Sequence, residues 1–358
     1  MASLDYFYDY LLFLAQAVTV VVAVLLILSA IASLGMKRQQ QGSHGHLEIR
    51  KLNDRLNSLK DSLRQAVLPH AQFKKLHKQD QKKEKAEQKQ AVKTAKKAEK
   101  QADPQPSEGD SRSRIFVLHF EGDIQASKVD HLRTEVTAVL TLAEPSDEVV
   151  VCLESPGGAV HGYGLAASQL DRIRQHGIPL VVAVDKVAAS GGYLMAAVAD
   201  RILAAPFAVI GSIGVLAQIP NVHRLLKKHD VDVELLTAGK YKRTLTVLGE
   251  NTDEGRQKFI EELEDIHALF QEYVGTRRPA LDMAEVATGE VWYGDRAIAK
   301  HLIDELSTSD EYLAQACEDR DVFQVRWVEH KKPIERLMAQ AEMSLGRLVD
   351  RFTNVGHR

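Results

Sequence analysis

A serine followed by two glycines stands where an apolar, strand-like run ends and a helical pattern of small residues begins. Ser190 follows the run 181–189, and Gly191 and Gly192 follow Ser190. A side chain in this place lies just before a helix N-terminus, where free N–H groups and the helix dipole stabilise negative charge. An oxygen nucleophile and a developing oxyanion both need such surroundings. The pattern therefore favours a serine hydrolase, although a serine that only caps the helix is equally typical of it.

A second turn of the same kind ends another apolar run. Residues 155–158 read Ser-Pro-Gly-Gly. Paired glycines let the backbone approach a ligand closely and direct N–H groups at it. We expect Gly157 or Gly158 to donate to an oxyanion, with the N–H of Gly191 as the second donor. An ordinary strand-to-helix turn has the same composition, so this motif alone does not decide the matter.

A nucleophilic serine needs a proton acceptor. A Ser-His-Asp triad needs a histidine, and His161, just beyond the Gly-Gly turn, is the best placed. The histidines of the folded region are His119, His131, His161, His176, His223, His229, His267, His301 and His330. The other solution is a lysine that burial makes neutral. Lys240 and Lys242 lie in Gly-Lys-Tyr-Lys, residues 239–242, which is also typical of a basic surface loop.

Apolar runs alternate with amphipathic helical patterns around these motifs. Strands are predicted over residues 115–120, 148–153, 179–184 and 201–204, and helices over 127–142, 163–176 and 252–277. Further strands are predicted over 234–237, 291–294 and 302–304, with a helix over 296–301 and a C-terminal amphipathic helix over 333–352. Strands that alternate with helices predict an α/β domain with a parallel core.

The composition is that of an ordinary globular protein. The chain has 358 residues, of which 45% are hydrophobic and 27% charged, enough for a sizeable core. Cys152 and Cys317 are its two cysteines. Two cysteines do not make a disulfide framework or a metal cluster, so neither a metal nor a cofactor is predicted.

The N-terminal segment has the character of a membrane anchor. Residues 11–34 carry no charge and are long enough to span a bilayer. Acidic and aromatic residues precede them, whereas a cleaved signal peptide begins with basic residues. Because Asp5 and Asp9 precede the span and Lys37 and Arg38 follow it, the positive-inside rule places the bulk of the chain in the cytoplasm.

A charged stalk is predicted between the anchor and the α/β domain. Leucines at helical spacing over 46–68 predict a helix with a short coiled-coil seam. Eleven lysines against four acidic residues follow over 74–100. Such a run could bind anionic lipid or nucleic acid. Proteins that bind single-stranded nucleic acid stack its bases on aromatic side chains, and Phe73 is the one aromatic residue near these lysines. A solvated stalk is therefore favoured, and nucleic acid is not an expected partner. The predicted organisation is an anchor (1–36), a stalk (37–100), a linker (101–114), an α/β domain (115–330) and a C-terminal helix (331–358).

Four motifs occur in a fixed order: residues 155–158, 189–193 (Ala-Ser-Gly-Gly-Tyr), 211–214 (Gly-Ser-Ile-Gly) and 239–242. With the segments HGYGLAASQLDRIR, GSIGVLAQIPN, KYKRTLTVLGENT and ATGEVWYG, they resemble the signal peptide peptidase A family of membrane-anchored serine peptidases. The resemblance covers nearly the whole chain and is most specific between residues 115 and 304.

The resemblance implies a fold and a set of catalytic roles. The fold is a Clp-protease/crotonase-like α/β spiral, preceded here by one transmembrane helix and a charged helical stalk. Ser190 corresponds to the nucleophile and Lys242 to the general base, with Lys240 as its neighbour. Ser212 corresponds to a serine that orients the lysine amine. Gly157, Gly158 and Gly191 correspond to the oxyanion donors, and which of the first two donates is left open.

The family also implies an assembly and a location. Members that, like this chain, carry one copy of the catalytic motifs form dome-like rings. These rings admit extended peptides, such as signal peptides or unfolded membrane and exported proteins. The implied location is a bacterial inner membrane, with a periplasmic domain as the alternative to the charge rule. Thr244 and Leu245 stand where several relatives have an acidic residue and glycine. Two other functions are weighed: a catalytically idle scaffold with a lipid- or nucleic-acid-binding stalk, and crotonase-like acyl-CoA chemistry.

Overall fold

The computed structural model describes residues 45–80 and 113–329, together with Thr19, Lys82, Ala86 and Lys89. Apart from Thr19, the predicted anchor at 11–34 lies outside the described residues, as does the predicted helix over 333–352. Within the described ranges, no helix is both long enough and apolar enough to cross a bilayer. Residues 47–327 form one compact unit, separate from the two ends of the chain. This unit carries the candidate site.

Ten strands in the described part form two sheets. They are β1 (Gly45–Lys51), β2 (Arg114–Glu121), β3 (Glu148–Glu154), β4 (Leu180–Val184), β5 (Val187–Ala189), β6 (Arg201–Ala204), β7 (Val209–Gly211), β8 (Val291–Tyr293), β9 (Glu305–Leu306) and β10 (Asp321–Glu329). The larger sheet has the order β1-β10-β2-β3-β4-β6-β9, and its pairings from β10 to β9 are parallel. Its central strands are buried on both faces, which explains their continuous apolar runs.

The smaller sheet has the order β5-β7-β8 and begins where β4 ends. β5 pairs with β7 in parallel, and β7 pairs with β8 antiparallel. A parallel bridge between Ser155 and Ala188 ties the end of β3 to β5. The two glycine turns predicted to carry chemistry therefore lie side by side.

The helices are α1 (Leu52–Val67), α2 (residues 70–80), α3 (Val129–Leu140), α4 (Val160–Gln175), α5 (Gly191–Ala196), α6 (His223–Lys228), α7 (Asp253–Arg277), α8 (Met283–Val286), α9 (Gly294–Ala297) and α10 (Ser309–Asp319). The largest buried cluster combines the apolar faces of α3, α4 and α5 with one face of the larger sheet. α4 and α5 are thereby fixed against the strands whose ends carry the motifs.

Part of the predicted stalk is a pair of helices docked on the domain. Arg64 of α1 pairs with Asp80 of α2 at 2.7 Å. The amide nitrogen of Asn53 donates to the carbonyls of Cys317 and Arg320 at 3.0 and 2.8 Å. These contacts attach the start of α1 to the end of α10.

Two predicted strands are wrong, and one predicted helix begins later than expected. Residues 45–51 form β1 beside β10, so the predicted helix over 46–68 begins only at Leu52. Residues 302–304 are not a strand: they form an irregular segment that leads into β9, which begins at Glu305. Residues 234–237 are not a strand either, because no described strand pairs with them and their side chains are exposed. The other predicted strands and helices of the domain agree with the structure to within a few residues.

Candidate active site

Ser190 occupies a strained turn between β5 and α5. Its φ of 52° and ψ of −120° lie in a region that non-glycine residues rarely adopt. Its N–H donates to the carbonyl of Gly211 at 2.8 Å, and its own carbonyl accepts from the Leu194 N–H at 2.9 Å. The side chain makes no capping hydrogen bond to the helix. The helix-cap alternative is therefore not what the structure shows, and the strained backbone presents the hydroxyl as a nucleophile turn does.

The Ser-Pro-Gly-Gly turn lies directly against Ser190. The Ser155 N–H donates to Val187 O at 2.8 Å, and the Ala189 N–H donates to Ser155 O at 3.0 Å. Gly157 has a φ of +89°, and a Cβ there would lie 2.7 Å from the Ser190 Cβ and 2.8 Å from the Gly191 nitrogen. Only glycine fits at this position, and the two predicted turns form one continuous backbone surface.

Three N–H groups lie on this surface, and two of them have no described acceptor and could serve an oxyanion. The Gly157 N–H donates to Ser155 Oγ at 3.1 Å. Among the described residues, no hydrogen bond is seen from the N–H of Gly158 or of Gly191. Gly191 opens α5, and the first N–H groups of a helix have no acceptor within it. The arrangement can stabilise a developing negative charge beside the Ser190 hydroxyl.

Ser212 directly follows Gly211, whose carbonyl accepts the hydrogen bond from the Ser190 N–H. Its φ is 53°, and its N–H donates to Glu290 O at 2.7 Å. Gly211, with a φ of +101°, accepts the Ser190 N–H. The third predicted motif is thus joined to the first two through the backbone of the smaller sheet.

The fourth motif lies on an exposed segment. Every residue from 231 to 243 is exposed, and the described hydrogen bond of Lys242 is that of its N–H to Gly239 O at 3.2 Å. The single chain therefore does not bring the Lys242 ammonium into a described contact with Ser190. Its role as the base stays a prediction.

Lys240 is engaged elsewhere. Its Nζ lies 2.8 Å from a Glu254 carboxylate oxygen and 4.9 Å from the centre of the Tyr241 ring. The hydrogen bond to Glu254 raises the pKa of Lys240 above its ordinary value. Because a base must first be neutral, this lysine is the poorer candidate of the two.

Histidine chemistry gains no support. His161 is exposed on the first turn of α4, and no described histidine hydrogen-bonds to Ser190. Within the described ranges, no group of three or more His, Cys, Asp or Glu side chains is arranged to hold a metal ion.

A buried polar pair behind the turn was not predicted from the sequence. Ser155 Oγ and Tyr163 OH lie 2.6 Å apart, and both residues are fully buried. A serine that is fully buried at the end of an apolar strand needs a polar partner, and Tyr163 on the first turns of α4 is that partner. The signal in the sequence was Tyr163 of the HGYG segment, whose hydroxyl needs a polar partner when the ring is buried. Without that consideration, the residue is read only as part of the apolar core.

Comparisons with known proteins agree with the motifs. "Peptidase family S49 N-terminal" matches residues 5–170, and "Peptidase family S49" matches residues 172–323. "Probable protease SohB" of Haemophilus influenzae is 47% identical over 349 residues, covering 98% of this chain and 97% of the relative. "Probable protease SohB" of Buchnera aphidicola subsp. Acyrthosiphon pisum is 51% identical over 235 residues, covering 66% of this chain and 70% of the relative.

A solved structure is similar only loosely. A K138A mutant of the 1510-N membrane-bound stomatin-specific protease in complex with a substrate peptide aligns with a TM-score of 0.40 and 14% identity, covering 65% of this chain and 99% of that one. A likeness of this degree carries no argument here. The sequence matches carry one, because together they confirm the predicted family resemblance over nearly the whole length. The chain therefore belongs to peptidase family S49, a family of proteases.

Proposed function

We propose that this protease is a membrane-anchored serine endopeptidase that uses Ser190 as nucleophile and Lys242 as general base. The observation that carries the proposal is the turn at Ser190. It combines a strained serine, a glycine backbone packed against that serine, and helix N–H groups without a described acceptor. A parallel sheet, with a small second sheet at the ends of its central strands β3 and β4, also supports the proposed Clp-protease/crotonase-like spiral.

The reaction follows from these groups. Neutral Lys242 takes the Ser190 proton while Oγ attacks the peptide carbonyl carbon. The oxyanion accepts hydrogen bonds from Gly191 and from the turn of Gly157 and Gly158. The intermediate collapses to an acyl-enzyme as the lysine protonates the leaving amine. Water then attacks the ester, the lysine takes a proton from the water, and Ser190 recovers its proton. Ser212 orients the lysine amine.

Lys242 must lose water before it can act as a base, since burial is what favours a neutral lysine. Its segment also exposes apolar side chains: Val231 is 47% exposed, Val233 39%, Leu235 51% and Leu236 88%. Apolar surface of this extent is typical of interfaces. We therefore propose that copies of the chain assemble into a ring, in which neighbouring subunits cover this segment and dehydrate the lysine. Such a ring admits extended peptides. The proposed substrates are apolar signal-peptide remnants and unfolded membrane or exported proteins.

The proposed location is a bacterial inner membrane, crossed once by residues 11–34. The flanking charges favour a cytoplasmic domain by the positive-inside rule, and the alternative is a periplasmic domain. Protease protection of the domain in inverted and right-side-out vesicles tests this orientation.

The test of the dyad compares four forms of the full-length protein: wild type, Ser190→Ala, Lys242→Met and Lys240→Met. Lys240→Met is the matched control, since it removes a neighbouring ammonium that is held by Glu254. We expect the first two variants to lose turnover of an extended apolar peptide and Lys240→Met to keep it. A peptidyl phosphonate should label Ser190 in the wild type, as read by mass spectrometry. Turnover by Lys242→Met, or labelling at another serine, would contradict the assignment.

A further inference from the structure

A directed chain of hydrogen bonds runs behind the Ser-Pro-Gly-Gly turn. The Gly157 N–H donates to Ser155 Oγ at 3.1 Å, Ser155 Oγ and Tyr163 OH are 2.6 Å apart, and Tyr163 OH donates to the carbonyl of Asp123 at 2.8 Å. An amide N–H only donates and a carbonyl only accepts. The tyrosine proton is therefore committed to Asp123, and the serine proton must point to the tyrosine oxygen.

The orientation of Ser155 is fixed by this order. Its single proton is given to Tyr163, so its lone pairs face the Gly157 N–H. Both side chains are fully buried, and burial raises the pKa of Tyr163, so the phenol keeps the proton that it donates. Water does not compete for these bonds at zero exposure, and the Gly157 turn is held by a satisfied buried network.

The same tyrosine also contacts the second wall of the site. A Cβ placed on Gly191 would lie 2.4 Å from Tyr163 Cγ and 2.7 Å from Tyr163 Cβ and Cδ2, so the tyrosine packs closely against the first residue of α5. The hydroxyl end meets Gly122, where a Cβ would lie 2.3 Å from the Tyr163 oxygen. The ring therefore sets the position of Gly191 while the hydroxyl sets that of Gly157 through Ser155.

We propose that Tyr163 and Ser155 are positioning residues that hold the Gly157 turn and the Gly191 N–H at the spacing an oxyanion needs. The inference rests on the proposed role of Ser190 as nucleophile. Neither side chain touches substrate, since neither is exposed. Their effect is therefore on stabilisation of the tetrahedral intermediate and not on binding of the peptide.

The experiment uses the full-length protein with Tyr163→Phe, Ser155→Ala and the double variant. Tyr193→Phe is the matched control, because Tyr193 is also fully buried and gives one hydrogen bond to a backbone carbonyl, that of Leu302 at 2.9 Å. Four quantities are measured: kcat, KM, the Ki of a peptide boronate that forms a tetrahedral adduct with the serine, and the unfolding temperature.

We expect Tyr163→Phe to lower kcat on the order of 10-fold and to raise the boronate Ki by a similar factor, with KM unchanged to within about twofold. Ser155→Ala should do the same, and the double variant should be no worse than either single variant, since all three break one network. Tyr193→Phe should lower the unfolding temperature without moving kcat or Ki.

Equal effects of Tyr163→Phe and Tyr193→Phe on kcat and Ki would overturn the inference, as would a rise in KM alone or additive losses in the double variant. If Tyr163→Phe does not fold, Ser155→Ala decides by the same two readouts. Ser190→Ala separates the two proposals. If it keeps activity, the proposed function fails; if it is inactive while Tyr163→Phe behaves as wild type, only the positioning role fails.

Discussion

Replacing Gly157 by alanine tests how closely the two turns must fit. The added Cβ would lie 2.7 Å from both Ala189 O and Ser190 Cβ, and 2.8 Å from the Gly191 nitrogen. These neighbours are backbone atoms or a Cβ, so no side-chain rotation relieves the overlap. The position also has a φ of +89°, which strains any residue with a side chain.

The magnitude follows from the displacement. Ordinary contact begins at 3.4 Å, so the Gly157 backbone and Ser190 must separate by about 0.7 Å. A misplacement of about 1 Å at a reacting group lowers the rate roughly 100-fold. We therefore expect Gly157→Ala to lower kcat/KM by about 30- to 100-fold. The positive φ should separately lower the free energy of unfolding by about 1–2 kcal/mol.

Gly177→Ala is the control for strain alone. Gly177 has a φ of +72°, and a Cβ there would meet nothing within 4 Å. The assay compares kcat/KM on an extended peptide with the free energy of unfolding in urea. We expect both variants to lose about 1 kcal/mol or more of stability and only Gly157→Ala to lose activity. Activity of Gly157→Ala equal to that of Gly177→Ala would refute the view that this backbone sets the geometry of the site.

Three further predictions concern the fold that carries the site. Asp147 is buried against Arg114 at 2.6 Å; burial alone would raise its pKa, but its hydrogen bonds, above all those from Arg114, hold the pKa below its ordinary 3.8. The stabilisation by the ionised carboxylate is thus present above pH 3.8 and lost as the pH falls below it. Asp147→Asn should therefore lower the free energy of unfolding by about 2 kcal/mol at pH 7 and by progressively less as the pH falls below about 4. If the difference between wild type and Asp147→Asn stayed the same at low pH, the pairing would be contradicted. Burial raises the pKa of the Cys152 thiol to about 12, so iodoacetamide at pH 8 should modify it only in urea, as peptide mass spectrometry would show; rapid labelling of the folded protein would count against the described core. The Thr252 hydroxyl accepts from the Gly255 N–H at 3.1 Å at the start of α7, so Thr252→Ala should cost about 1 kcal/mol in urea unfolding, whereas Thr252→Ser should keep most of that stability.

Local pattern was sufficient for the strands β2, β3, β4 and β6 of the larger sheet, but α10 and β10 were not predicted. The run 148–153 predicted β3, which extends one residue further, and 201–204 coincides with β6. These strands are buried on both faces, so their apolar runs need no knowledge of their neighbours. The turns were also predictable, because glycine pairs at the ends of such strands are a local feature.

Prediction failed where partners decide structure. The leucines over 46–68 fit a helical period, yet residues 45–51 lie beside β10 in the sheet. Residues 234–237 have the composition of a strand but no described partner strand, and a strand exists only with a neighbour to share its hydrogen bonds.

The sequence by itself determined the residue types, their order and the family, because these depend on neighbours along the chain. Tertiary structure alone decided that Gly157 packs against Ser190, that Gly211 accepts the Ser190 N–H, and that Tyr163 ties both walls of the site together. These contacts join residues distant in sequence, and the order of strands in two sheets sets them. Composition and spacing do not determine that order, so the buried pair of Ser155 and Tyr163 could be identified only in the folded protein.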